Sequence, residues 1–428
     1  MSKNIVICCD GTGNEVGPNI SNILKLYRVL RKTHKSLPDQ TVYYDAGVGT
    51  LAKPDPWKKL QQDANAILQL ATGYGLDDHV IAAYRFIVAQ YQDGDELFLF
   101  GFSRGAHTVR VLAGLIHKVG LLRPEQVNLA EAAYAAYMQS PETPHIAIDA
   151  ETEPSNAACE PTTFTSDDRA SQFARVVSTR WPTIKFLGVW DTVASVIAPT
   201  PDRFYTFTLQ TLPYTQRNPS VKAFRHAISI DERRRMFRLS PWDEGQIFMK
   251  NRFSKTNNVE PQDCRQVWFA GVHANIGGGY PEEESGLSKF PLLWMIDEAI
   301  QHGLAVDRRT INHLAWGKPR QGSPFSYVAP SIEGTLHNSL YGAWNILEWL
   351  PKSDRYKECP KRESHFGYYI PDGEPRMIPM NALVHQSVLL RQADTKSDYK
   401  PALPSVYQTI PMSVPDGSHS EHASVDEP

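Results

Sequence analysis

Apolar positions in the first third of the chain come in short blocks that alternate between two periods. Residues 5–9 form an unbroken, partly β-branched run that stops at Asp10-Gly11-Thr12-Gly13-Asn14. Between residues 20 and 30 the spacing becomes helical, with Ile23, Leu24, Tyr27 and Leu30 on one face and Asn19 or Ser21 at the cap. Thr41-Val42-Tyr43-Tyr44 reads as a strand entering a glycine-rich stretch that begins at Asp45. A second helix is predicted over 77–91, with Val80, Ile81, Tyr84, Ile87 and Val88 as its buried face. Residues 97–100 are again apolar without alternation. Unbroken apolar strands joined by helices predict a parallel sheet covered on both faces.

Farther along, strands are predicted at 184–190 and 267–272, with a helix at 287–302 after the second. The intervening stretches are less periodic. Residues near 130–175 and near 196–260 read as insertions over the working edge of the sheet, the latter carrying the aromatic segment 204–214. Residues 319–404 are rich in Pro, Gly and aromatics and predict an irregular C-terminal wrap. The polar stretch 411–428 predicts a disordered tail.

The strongest chemical signal is Gly101-Phe102-Ser103-Arg104-Gly105, set between the apolar strand and a helical pattern over 107–116. Strand, sharp turn and helix around a G-x-S-x-G serine form the nucleophile elbow of α/β hydrolases. Gly101 and Gly105 are small because larger neighbours would clash with the strand and the helix. The helix N-terminus brings its dipole and N–H groups near a developing oxyanion. In this fold the acid and then the base follow the serine, each just past a strand end. Asp191, after the strand 184–190, and His273, after the strand 267–272, fit that order. Rival histidines are His107, His226, His337, His365 and His385, and rival acids are Asp231 and Glu232. The expected oxyanion donors are the backbone N–H of Arg104 and that of Gly11 or Thr12. Asp10 is expected to turn away and hold its loop, or to pair with Arg104. The fold expectation is therefore one α/β-hydrolase-like catalytic domain over 1–410, with a mostly parallel central sheet, helices on both faces and the insertions as a cap.

Composition removes several other classes. Hydrophobic residues make up 41% and charged residues 21% of 428, which fits neither disorder nor a membrane bundle. A net charge of −3 gives no reason to expect nucleic acid as a partner. No apolar run reaches the roughly 18 residues of a membrane span. Five cysteines without a CxxC fit free thiols in a reducing compartment, and the N-terminus lacks a signal-peptide core. Cytoplasmic synthesis is expected. No metal-binding or nucleotide-binding motif occurs, and no cofactor is expected.

Six segments carry a family resemblance when taken in order: CDGTGN, YYDAGVGT, GFSRGA, GVWDTV, ISIDERR and WFAGVHANIGGGY. Together they resemble the α/β-hydrolase domain of a family of uncharacterised bacterial and fungal proteins, similar to the catalytic domain of type VI secretion phospholipase effectors. The resemblance spans about residues 3–403. It implies a Ser-Asp-His esterase with Ser103, Asp191 and His273 in those roles, and phospholipid as substrate in the effectors; export by a dedicated secretion machine is left open, since nothing in the sequence marks it. Relatives often read His-x-Asp where this chain has His273-Ala274-Asn275, so Asn275 removes a charge near the base. No long membrane-docking domain of the kind the effectors carry is expected, although segment 204–214 and the arginines 233, 234, 235 and 238 are candidates for transient membrane contact. For the arginines a solvated helix face is the alternative.

The residues leave three functions open. One is a serine esterase or lipase acting on carboxylic esters, lipid esters among them. Another is a Mg²⁺-dependent phosphoryl hydrolase using Asp10, which would need a second carboxylate where Thr12 stands. The last is a non-catalytic binding protein on a hydrolase scaffold.

Overall fold

The computed structural model describes residues 2–11, 19–32, 38–47, 76–140, 168–177, 179–193, 197–199, 207–209, 214–250, 259–340, 345, 348–354, 357 and 362–415. Eight strands form the central sheet: β1 (Lys3–Cys9), β2 (Asp39–Asp45), β3 (Glu96–Phe102), β4 (Ile184–Trp190), β5 (Val221–Ser229), β6 (Asp263–Phe269), β7 (Ala382–His385) and β8 (Tyr407–Ile410). Their spatial order is β8-β7-β6-β5-β4-β3-β1-β2, and every pairing is parallel. Chain direction across the sheet therefore reverses between β1 and β3, and ligands of open α/β sheets bind outside the carboxyl ends of the strands at such a switch point.

Successive residues of each strand serve opposite layers. Ile5, Ile7 and Cys9 pack under α2 (Leu76–Gln90) and α3 (Arg104–Lys118). Val6 and Cys8 face the layer of α1 (Asn22–Val29) and α7 (Lys289–Gln301). Between α3 and α7 lie α4 (Ala130–Met138), α5 (Arg169–Val177) and the short α6 (His273–Gly277). Beyond α7 come α8 (Arg308–Leu314) and α9 (Gln386–Ala393). Ser21 caps α1 by accepting the Leu24 N–H at 3.1 Å.

The structure corrects the sequence reading at several places. The segment read as an insertion near 196–260 contains β5, a central strand. Its buried Arg225 and His226 break the apolar pattern. Arg225 is paired with Glu298 at 2.6 Å and Asp263 at 2.7 Å, and His226 Nε2 accepts the Thr192 N–H at 3.1 Å. Buried charge is tolerated there because each group is partnered. In the segment near 130–175, α4 extends the helical layer, with Ala130, Ala133, Tyr134 and Tyr137 packed in the core of α2 and α3. Residues 141–167 lie outside the described residues. The C-terminal part is less irregular than its composition, since it supplies β7, β8 and α9. Of the aromatic segment 204–214, only the pairing of 207–209 with 197–199 and the buried Tyr214 are described. Of the polar tail, residues beyond 415 lie outside the described set.

Candidate active site

Ser103 stands at the junction of β3 and α3 with φ 56° and ψ −121°, a conformation that L-residues seldom adopt. Its flanking glycines explain why the chain can turn there. A Cβ on Gly105 would sit 2.1 Å from the Cys9 carbonyl oxygen, and one on Gly101 would sit 2.4 Å from the Gly105 carbonyl oxygen. The Ser103 N–H donates to the Trp190 carbonyl at 3.1 Å, which ties the elbow to the end of β4. Ser103 occupies the N-cap position of α3, yet its side chain makes no capping bond.

Asp191 follows β4 directly, is fully buried, and also has positive φ, at 41°. Its Oδ2 meets His273 Nδ1 at 2.6 Å. The Ser229 N–H donates to Oδ1 at 2.9 Å. Arg376, from the C-terminal part, donates through Nη1 to Oδ1 at 2.5 Å and through Nη2 to Oδ2 at 3.1 Å. Burial alone would raise the Asp191 carboxyl. The Arg376 guanidinium and His273 outweigh it and hold the group well below the usual carboxylate range.

His273 begins α6, four residues beyond the end of β6 and not directly on the strand end. Its ring lies between Phe102, with centroids 4.7 Å apart, and Phe237, at 4.9 Å edge-on. A Cβ on Gly277 would overlap the Phe102 ring at 1.9 Å, so the glycines after His273 let that aromatic in. His273 Nε2 is buried and makes no hydrogen bond. Histidine and carboxylate are thus joined, Phe102 brings the elbow against the imidazole, and the serine–histidine bond is not formed. Catalytic hydrogen bonds often close only when substrate is bound.

The rival acids hold the histidine loop through its backbone. The Gly271 N–H donates to Asp231 Oδ2 at 2.7 Å, and the Asp231 N–H donates to the Gly271 carbonyl at 3.1 Å. The His273 N–H donates to Glu232 Oε2 at 3.2 Å. Burial works to raise Glu232, but Arg234, Arg376 and His273 bring it down to about 2. Asn275 accepts the Val272 N–H at 3.2 Å and donates to the Thr335 carbonyl at 3.1 Å, linking this loop to the C-terminal part.

Other candidates serve the framework. His107 is buried one turn into α3, and burial followed by Arg110 pushes it down to about 4. His337 bridges Asn275 at 3.1 Å and Glu284 at 2.8 Å. His365 is exposed in a hairpin turn, and His385 accepts the Ser387 N–H at 3.3 Å as the N-cap of α9. The arginines lie on no helix. Arg234 pairs with Glu232 at 2.8 Å, Arg238 with Glu374 at 3.2 Å, and Arg235 reaches the Leu350 carbonyl at 2.5 Å. Asp10 is buried, and both its oxygens accept hydrogen bonds: Oδ1 from the Gly11 N–H at 2.7 Å, Oδ2 from Tyr44 at 3.0 Å and from Ser21. The Gly11 N–H, one of the two expected loop donors, is thus engaged by the neighbouring carboxylate. Thr12 lies outside the described residues. Among the described residues, no three His, Cys, Asp or Glu side chains gather as metal ligands, and no helix is long and apolar enough to cross a membrane.

Sequence reasoning missed Arg376. It stands alone in a Pro- and Gly-rich stretch, without spacing or periodicity to mark it. The physical cue was general: a carboxylate buried at a strand end needs a compensating charge.

Comparison with known proteins adds the family. Residues 3–298 match the family described as T6SS, Phospholipase effector Tle1-like, catalytic domain. The chain belongs to this family. An uncharacterised protein of Saccharomyces cerevisiae is 33% identical over 241 residues, 55% of this chain and 32% of the relative. The chain thus spans about a third of that relative's length. A crystal structure of an uncharacterised protein from Pseudomonas aeruginosa aligns over 72% of this chain and 46% of its own, with 17% identity and a TM-score of 0.37. The structure of the Tle1 effector bound to the VgrG spike of a type 6 secretion system aligns over 67% and 52%, with 16% identity and a TM-score of 0.31.

Proposed function

We propose that this protein hydrolyses carboxylic esters of lipids, phospholipids among them, by a serine mechanism within a single catalytic domain over 1–410. The observation that carries the reading is the 2.6 Å bond from His273 to the buried Asp191, which follows β4, the strand paired with the one that leads into the Ser103 elbow. Ser103 Oγ attacks the ester carbonyl carbon while His273 Nε2 takes the hydroxyl proton. Asp191 orients the imidazole through Nδ1 and stabilises the imidazolium. The oxyanion forms at the N-terminus of α3, where the Arg104 N–H is one donor and Thr12 supplies the second. Collapse breaks the ester C–O bond, and the alcohol leaves with the proton from Nε2. Water, deprotonated by the same nitrogen, then releases the acid from the acyl-enzyme.

Two further observations favour this over phosphoryl transfer from Asp10. Both Asp10 oxygens are spent on holding the loop, and position 12 is a threonine. The test is turnover of p-nitrophenyl esters of graded chain length and of phospholipid vesicles, wild type beside Ser103→Ala. Loss of about 10³-fold or more in the variant, with the fold intact, is expected. Equal turnover by the variant contradicts the reading. Cleavage of short esters with vesicles untouched contradicts its lipid part.

A further inference from the structure

We propose that Arg376 is a positioning residue of this site, which fixes the Asp191 carboxylate and sets the basicity of His273 by sharing that carboxylate with it. The assignment rests on the serine-esterase reading. Its geometric basis is a two-pronged grip: Nη1 to Oδ1 at 2.5 Å and Nη2 to Oδ2 at 3.1 Å, with the second oxygen also bonded to the imidazole at 2.6 Å. Paired guanidinium–carboxylate bonds fix orientation as well as adding energy. The guanidinium is itself held by the Ser229 hydroxyl at 2.8 Å and the Phe237 carbonyl at 2.6 Å, so it has little freedom to leave. Arg376, Asp191 and His273 are all buried. Arg376 also lies beyond residues 3–298, so the site is completed by a part of the chain outside the family match.

The charges around the imidazole nearly cancel. Asp191 faces it from the end of β4, Glu232 and its partner Arg234 from the loop after β5, and Arg376 from the C-terminal part. His226, on β5, is kept neutral by burial. A carboxylate alone beside a histidine raises its pKa, and a guanidinium on the same carboxylate opposes that rise. Removing the guanidinium charge should make the imidazole more basic, so that a higher pH is needed to free Nε2 for the Ser103 proton.

An arginine with a purely structural role would lower stability and maximal rate together and leave the pH dependence alone. The test is the rate of fluorophosphonate labelling of Ser103 against pH, in the full chain, for wild type, Arg376→Gln, Arg376→Lys and Ser103→Ala. This readout needs no knowledge of the natural substrate. The midpoint of the acid limb is expected to move up by about one pH unit in Arg376→Gln, which is a drop of about tenfold in rate below the wild-type midpoint. In Arg376→Lys the charge remains and the fork is lost, so the midpoint should stay while the plateau falls about tenfold or more. An unmoved or lowered midpoint in Arg376→Gln overturns the proposal. If that variant does not fold, Arg376→Lys decides: a wild-type plateau, or a plateau and a melting temperature lowered together, overturns the proposal, and a lowered plateau at the wild-type melting temperature supports it. Absence of labelling in wild type, or equal labelling in Ser103→Ala, overturns the esterase reading and this assignment with it. That pattern differs from a labelled wild type with an unmoved midpoint.

Discussion

Two side chains at the site hold backbone conformations that only tight surroundings maintain. Ser103 and Asp191 both have positive φ, and both follow strands whose ends are locked by hydrogen bonds. The Asp191 N–H donates to the Ala227 carbonyl at 2.8 Å, while the Ser103 N–H reaches the neighbouring β4. Such strain is stored where the surroundings over-determine the geometry. Gly105 is one of the groups that makes this possible at the elbow. Gly105→Ala would drive a Cβ into the Cys9 carbonyl and push α3 away from β1. A destabilisation of about 1–3 kcal/mol or more follows. It should read as a lower melting temperature together with slower labelling of Ser103. A variant with an unchanged melting temperature would contradict the close packing of elbow and strand. The elbow was legible from sequence because glycine, serine and glycine sit between two strongly patterned elements. Arg376 was not, because nothing local distinguishes it from the other arginines.

Elements position the histidine less through α6, which is a single short turn, than through the loop that follows β5. Asp231 and Glu232 grip the backbone at Gly271 and His273, and Phe237 packs against the imidazole. Glu232 is held at about 2, below the ordinary 4.5 of its carboxyl. Its contribution to stability is therefore present in full above about pH 4.5 and lost as pH falls toward 2. A shift of this size is worth about 3 kcal/mol at neutral pH. Glu232→Gln should melt several degrees below wild type at pH 7, and the gap should close as the pH is lowered toward 3. A gap independent of pH would contradict the role given to the ionised carboxylate. The ISIDERR segment was visible in the sequence, but as a source of rival acids. Its place at the end of β5 was hidden because Arg225 and His226 disrupt the strand's apolar pattern. β7 and β8 were hidden for another reason. Each is four residues long and set among prolines, too short to show a period.

Across the whole molecule, one sheet gathers strands from Lys3 to Ile410, so the two ends of the sequence meet in a common framework. The front half of that sheet was legible because its strands are unbroken apolar runs separated by amphipathic helices. The back half depends on buried ion pairs and on contacts between distant segments, which leave little periodic trace. The reversal of strand order at β1 and β3 puts the Asp10 loop and the Ser103 elbow side by side. Asp191 and His273 reach the same edge from β4 and the loop beyond β6. Peptide mapping by mass spectrometry after fluorophosphonate treatment, wild type beside His273→Ala and Asp191→Asn, tests this convergence most directly. A single adduct on Ser103, slowed by about 10³-fold or more in both variants while their folds persist, is the predicted result. An adduct elsewhere, or labelling of Ser103 indifferent to both substitutions, would contradict it.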